Sequence, residues 1–145
     1  MTSRFQWAAV AAGLALTLGG CQTLTQPTPP TDPAFVAALS KTKNDGAPLF
    51  AGLLASTNCN AAANAAAFGA VESDITALRA QASVPNNDFS QRGVAGLQSG
   101  FASFRQGVTA GGERCSPPTI VSAYQTRFNK TVDDLTDYEQ RKGSR

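Results

Sequence analysis

Apolar residues recur every three or four positions along most of the chain beyond residue 33, which is the spacing of amphipathic α-helices. Three long segments show this spacing: about Asn60 to Ala82, about Phe89 to Thr109, and the segment that follows Ser116-Pro117. Their apolar stripes are Phe68, Val71, Ile75 and Leu78; Val94, Leu97, Phe101, Phe104 and Val108; and Val121, Tyr124, Phe128, Val132, Leu135 and Tyr138. No run alternates apolar and polar residues over the length of a strand.

A shorter helix is expected first, because Asp32-Pro33 pairs an N-cap residue with proline at the first helical position. We expect it to carry Phe35, Val36 and Leu39 and to end at Asn44-Asp45-Gly46. The apolar stretch Leu49 to Ala55 fits either a helix or a loop. Turns are expected at residues 84–88 and at Gly111-Gly112. These short connections predict an all-α fold, a small antiparallel helical bundle.

Glycines form a stripe beside the apolar one in the predicted helix from about Phe89 to Thr109: Gly93, Gly96, Gly100 and Gly107. The segment before it has Ala62, Ala66, Gly69 and Ser73 in the same relation. Each glycine inside a helix costs about 0.8–1 kcal/mol relative to alanine. Close packing between the two helices would compensate for this cost. The alternatives are a frayed or kinked helix and a groove that binds a partner.

The N-terminal segment has the pattern of a secretory signal. Met1 to Arg4 carries one positive charge, and Trp7 to Leu18 is an uncharged apolar stretch that is too short to cross a bilayer. Leu18-Gly19-Gly20-Cys21 then resembles the lipobox of bacterial lipoproteins. That resemblance implies cleavage between Gly20 and Cys21, and acyl chains (palmitate among them) on Cys21. An ordinary secretory signal with a chance cysteine is the alternative.

Three regions are therefore predicted: a signal peptide (1–20), an acylated cysteine with a Pro/Thr-rich tether (21–32), and a helical bundle domain (33–145). The tether contains Pro27, Pro29 and Pro30, and its composition favours a semi-rigid polyproline II spacer of about 3.1 Å per residue. By the same resemblance, Gln22 after the acylated cysteine differs from the aspartate of inner-membrane retention. We therefore expect an outer-membrane lipid anchor, with the domain facing the periplasm.

The composition argues against several chemistries. The chain has no histidine, which is the commonest general base and metal ligand. A formal net charge of +2, reduced further once Arg4 is removed, gives no field that would attract nucleic acid. We therefore expect no cofactor, no metal and no nucleic-acid partner, and we do not expect an enzyme.

With Cys21 acylated, Cys59 and Cys115 remain as an even pair in an oxidising compartment. One predicted helix leads away from Cys59 and the next leads back to Cys115, so both cysteines fall at the same end of an antiparallel hairpin. A structural disulfide is expected. A redox pair is the alternative, but it would favour Cys-x-x-Cys spacing.

Acidic residues cluster near the C-terminus at Asp133, Asp134, Asp137 and Glu139. We interpret them as a solvated helix face, because Lys130 and Arg141 lie three or four positions away and can pair with them. A site for a cation or a basic partner is the alternative.

The predicted function is protein binding, by a membrane-anchored accessory or assembly factor of an envelope component. The expected architecture is similar to that of the helical pilotin lipoproteins of type II secretion, which combine an acyl anchor, a small bundle and one disulfide. A surface-exclusion or inhibitor lipoprotein is the first alternative. A peptidoglycan-acting enzyme is the second, with Glu72, Glu113 or Glu139 as a lone acid.

The expected partners are the bilayer and an unidentified envelope protein. Val84 and Phe89, an apolar pair at the hairpin tip, are the predicted partner surface, unless Phe89 folds back onto its own helix.

Overall fold

A computed structural model describes residues 30–142 of the chain. Four helices lie in this range, and it contains no strand: α1 (Pro33–Leu54), α2 (Ala65–Ala82), α3 (Asp88–Ala110) and α4 (Pro118–Lys142). Each helix packs antiparallel to the next, and α4 packs back against α1. The predicted antiparallel bundle with one disulfide is confirmed. None of the helices in the described range is both long and apolar enough to cross a bilayer.

The first helix is longer than predicted. Its N-terminus is as expected, since the Asp32 carboxylate accepts hydrogen bonds from the backbone N–H groups of Ala34 and Phe35. The stop predicted at Asn44-Asp45-Gly46 is wrong, because α1 continues through these residues and through Pro48 to Leu54.

The reason for this longer helix lies in packing against α4. Gly46 is buried, and a Cβ atom there would lie 2.9 Å from Cε1 of Phe128. The missing side chain thus lets α4 approach α1. Beyond Gly46, Leu49, Phe50 and Leu53 are almost fully buried. Their burial outweighs the local preference of Gly46 and Pro48 for ending a helix.

The apolar stripes of the later helices form the core as predicted. Phenylalanines dominate its centre: the rings of Phe50 and Phe128 are 5.4 Å apart, and those of Phe104 and Tyr124 are stacked at 4.1 Å. Burial raises the pKa of the Tyr124 phenol above its ordinary value. The remaining buried members of the core come from all four helices: Phe35, Leu39, Phe68, Val71, Ile75, Leu78, Ala82, Val94, Leu97, Phe101, Val108, Val121, Val132 and Leu135.

The bundle has two distinct ends. The disulfide end consists of the α1–α2 connection (55–64) and the α3–α4 connection (111–117). The tether end consists of residues 30–32, the α2–α3 turn (83–87) and the last turn of α4. This arrangement follows from the direction of the helices, because α1 and α3 both start at the tether end. The turn itself is tight, with Asn86 in the left-handed region at φ 63°.

Candidate functional site

The predicted lipidation and cleavage residues, Cys21 and Gly20, lie outside the described residues, as do the signal peptide and most of the tether. The acylation of Cys21 therefore stays a prediction.

The disulfide end contains the predicted bond between Cys59 and Cys115, whose Cα atoms are 5.0 Å apart. Cys59 is buried, whereas Cys115 is exposed. The two connections also share a hydrogen bond, which the Asn60 side-chain amide donates to the carbonyl of Glu113 at 3.3 Å. The Asn64 amide, buried against Gly52, holds the α1–α2 connection through the carbonyls of Asn58 and Asn60. The disulfide thus joins the two connections covalently beside this hydrogen bond, consistent with a structural role.

At the tether end, the predicted partner residues Val84 and Phe89 are 41% and 43% exposed. Phe89 does not fold back onto its own helix. Its ring instead lies against Tyr138 of α4, with the ring centroids 4.3 Å apart. The turn is also not isolated from the tether, since Val84 and Pro30 line the same cavity. Whether Val84 and Phe89 bind a partner stays a prediction, but they lie beside the point where the tether enters the domain.

A buried polar network joins the segments of this end. Oε1 of Glu139 accepts hydrogen bonds from the Ser90 hydroxyl at 2.5 Å and from the Lys142 ammonium at 2.7 Å. Lys142 also donates to Oδ1 of Asn87 in the turn at 2.6 Å. The Thr31 hydroxyl, from the tether, donates to the backbone carbonyl of Glu139 at 2.8 Å. The network therefore holds the tether, the turn and the C-terminal helix together.

The placement of Glu139 corrects its assignment to a solvated acidic face. The Glu139 side chain is only 1% exposed and pairs with a Lys142 side chain that is 3% exposed. The signal was available in the sequence, because Glu139 continues the helical spacing of Val132 and Leu135. The cavity beside it has a volume of about 20 Å³, the size of a single water molecule.

The other three acidic residues of the cluster do lie on the surface. Asp134 pairs with Lys130 at 2.8 Å and Asp137 with Arg141 at 3.5 Å, both within α4. Asp133 pairs with Lys43 of α1 rather than with Lys130. Within residues 30–142, no group of three or more potential ligands could hold a metal ion.

A further ion network, which the sequence did not indicate, connects α1 to α2. The Lys41 ammonium donates to Asp45 at 2.8 Å and to Asp74 at 2.6 Å. Hydrogen bonds to Asp45 and then to Asp74 raise the pKa of Lys41, and the hydrogen bond from Lys41 lowers the pKa of Asp45. Since Lys41 and Asp45 are exposed to solvent, this network orients α1 against α2 without forming a reactive site.

The α3 glycines are placed differently from the prediction. Positions 93, 96, 100 and 107 fall within an arc of about 60° on the helix. This arc faces α4 rather than α2, since Cβ atoms at Gly93 and Gly100 would lie 2.6 Å from Leu135 Cδ2 and 3.8 Å from the Tyr124 hydroxyl. The small residues predicted to oppose them on the preceding segment (Ala62, Ala66, Gly69 and Ser73) are exposed instead. Packing within the molecule therefore accounts for Gly93 and Gly100, but through α4 and not through the small residues of the preceding segment.

Gly96 and Gly107 are not covered by any part of the protein in the described range. A Cβ atom at either position would meet nothing within 4 Å. They lie on the same arc as Gly93 and Gly100, so they border the outer side of the seam between α3 and α4. Ile120, which is 57% exposed, lies in the first turn of α4, one helical turn before Tyr124. We call the surface formed by Gly96, Gly107, Ile120 and Tyr124 the α3–α4 seam.

The chain was compared with known protein families, with curated proteins and with solved structures, and none of the three comparisons gave a match.

Proposed function

We propose that this protein is a lipid-anchored periplasmic protein that acts by binding, as an accessory or assembly factor of an envelope component. The anchor is Cys21 within Leu18-Gly19-Gly20-Cys21. A tether enters at one end of the bundle, so the sides and the disulfide end of the domain are available to a protein partner.

The observation that supports binding is the uncovered part of the α3–α4 seam. Gly96 and Gly107 each cost the helix about 0.8–1 kcal/mol relative to alanine. Gly93 and Gly100 have an internal reason, because they accommodate Leu135 and Tyr124. Gly96 and Gly107 have no such contact, a property they share with the exposed Gly69 of α2, but only they adjoin the packed glycines of the same helix arc. Because α3 is continuous from Asp88 to Ala110, a frayed or broken helix does not explain these two glycines. Partner binding remains as an explanation.

The expected ligand of the seam is a helix or an extended segment of an envelope protein. At Gly96 and Gly107 the helix surface carries no side chain, so a partner backbone can approach it closely, and the exposed Ile120 of α4 offers an apolar contact.

The experiment combines crosslinking in intact cells with capture of the full-length protein. Gly96→Gln together with Gly107→Gln should stabilise the bundle, because glutamine is the better helix former. The same side chains should block the seam and abolish capture of the crosslinked partner. The matched control is Gly69→Gln with Ala66→Gln on the exposed side of α2, which should also be tolerated and should retain the partner. Equal capture by both double variants would contradict the assignment of the seam.

The anchor is tested separately with Cys21→Ser. This variant should accumulate as an uncleaved precursor that takes up no labelled fatty acid. If it is still cleaved after residue 20 and released as soluble protein, the N-terminus is an ordinary secretory signal. Protease added to intact cells tests the orientation, and digestion of the domain from outside would favour a surface-exclusion or inhibitor role.

A further inference from the structure

The tether end brings an exposed apolar pair to the part of the domain nearest the anchor. Thr31 is fixed to α4 through its hydrogen bond to the Glu139 carbonyl, so nine residue-to-residue steps separate Cys21 from Pro30, next to this fixed point. In a polyproline II conformation nine steps span about 28 Å. An anchor on Cys21 therefore keeps the tether end within that distance of the lipid surface.

The opposite end stands much farther away. A helix the length of α1, with 22 residues, is about 33 Å long. The α2–α3 turn lies beside Pro30, whereas the disulfide end lies one full helix length beyond it. If the bundle is anchored, Val84 and Phe89 are the exposed large apolar residues at its near end, and Leu54 and Ile120 are at its far end.

The chemistry of the near end suits a lipid interface. Phe89 packs against Tyr138, an aromatic residue with a polar hydroxyl, and such residues favour the boundary between headgroups and acyl chains. The exposed charges near the helix ends at the tether end balance, with Asp32, Asp88 and Asp137 against Arg79, Arg92 and Arg141. The Glu139 and Lys142 charges are buried against each other. Contact with lipid would thus be driven by apolar burial and not by attraction to charged headgroups.

We propose that Val84 and Phe89, at the tether end, rest on the lipid surface into which Cys21 is anchored. This proposal relies on the lipid anchor of the proposed function. The lipid contact holds the bundle upright, with the α3–α4 seam along its side and the disulfide end pointing away from the membrane.

The test uses a property of the mature chain. The single tryptophan of the sequence is Trp7, in the predicted signal peptide, so the processed protein contains none. Phe89→Trp therefore introduces a unique fluorescent reporter that keeps an aromatic ring against Tyr138. Ile120→Trp, at the far end, is the matched control. Val84→Trp is the second reporter, for use if thermal melting shows that Phe89→Trp does not fold.

Each acylated variant is reconstituted into phosphatidylcholine vesicles, with or without bromine near the headgroup end of one acyl chain. Side chains at this boundary lie about 5–10 Å deep, so we expect brominated lipid to lower Phe89→Trp emission by about half. Ile120→Trp emission should be unchanged, and quenching should not depend on salt concentration.

The outcomes separate the two proposals. Protein that fails to float with vesicles overturns the anchor, and the lipid contact with it. Protein that floats but shows equal emission from Phe89→Trp in both lipids overturns the lipid contact alone. Equal emission in both lipids is also the result expected if Val84 and Phe89 bind a protein partner instead of lipid. Equal quenching of Phe89→Trp and Ile120→Trp would mean that the bundle lies flat, which also overturns the upright arrangement.

Discussion

Lys142→Met tests whether the buried ion pair holds the tether end together. In the structure the Lys142 ammonium donates to Glu139 at 2.7 Å and to Asn87 at 2.6 Å, and its side chain is 3% exposed. Methionine matches the aliphatic part of lysine but cannot donate a hydrogen bond. The variant leaves the Glu139 carboxylate buried with the Ser90 hydroxyl as its remaining side-chain partner.

The magnitude follows from this burial. Removing one partner of a buried ion pair typically costs about 3–5 kcal/mol, because the other charge is left uncompensated. This loss is a large part of the total stability of a small domain, which is about 5–15 kcal/mol. For a domain of this length the melting temperature should fall by about 10–25 °C.

The double variant Lys142→Met with Glu139→Leu separates the charge from the packing. Replacing both charges by apolar side chains removes the uncompensated carboxylate and leaves only Ser90 and Asn87 without their partners. We expect the double variant to lose about 2–3 kcal/mol, less than Lys142→Met alone. The control is Lys130→Met, which breaks an exposed ion pair on the same helix and should cost less than about 1 kcal/mol.

The assay is urea and thermal unfolding of a soluble form that begins at Gln22, followed by circular dichroism. The reasoning is refuted if Lys142→Met costs no more than Lys130→Met. It is also refuted if the two substitutions at Glu139 and Lys142 are additive, because a true pair must show coupling.

Three further predictions concern the rest of the bundle. Removing the disulfide with Cys59→Ala and Cys115→Ala should lower the free energy of unfolding by about 4 kcal/mol in the chain-entropy model, measured by urea unfolding; an unchanged midpoint would contradict a structural role. Gly96→Ala should raise the free energy of unfolding by about 0.8–1 kcal/mol. Gly93→Ala should lower it by about 1–3 kcal/mol, because the added methyl group clashes with Leu135. A gain in stability from both variants would refute the described packing. Because burial raises the pKa of folded Tyr124, stability should be retained below the ordinary phenol pKa of about 10 and fall as the pH rises above it; alkaline melts of Tyr124→Phe should show a smaller fall.

The sequence predicts those parts of the fold in which local pattern and tertiary burial agree. The stripes from Phe68 to Leu78 and from Val94 to Val108 become the core because their helical spacing matches the faces that the bundle buries. The cysteine pairing was also predictable, since two helices of similar length return the chain to the same end. In each case a local rule and the global arrangement favour the same structure.

The failures occur where these two levels disagree. Asn44-Asp45-Gly46 and Pro48 are correct local signals for a helix end, and the burial of Phe50 against Phe128 overrides them. The charge of Glu139 and its acidic neighbours predict a solvated residue. Its position on the helix instead places it in the interior with Lys142. The sequence shows which face of its own helix a residue lies on. It does not show which neighbouring helix packs against that face.

The glycines of α3 extend this argument from fold to function. A rotation of about 60° around the helix separates Gly93, which accommodates Leu135, from Gly96, which faces open space. Internal packing explains the first glycine and gives no reason for the second. Alanine at Gly96 would meet no atom and would favour the helix, so packing within the described residues gives no reason for a glycine there. The α3–α4 seam is for that reason the first surface to alter when a protein partner is sought, and the tether end is the first to probe for lipid.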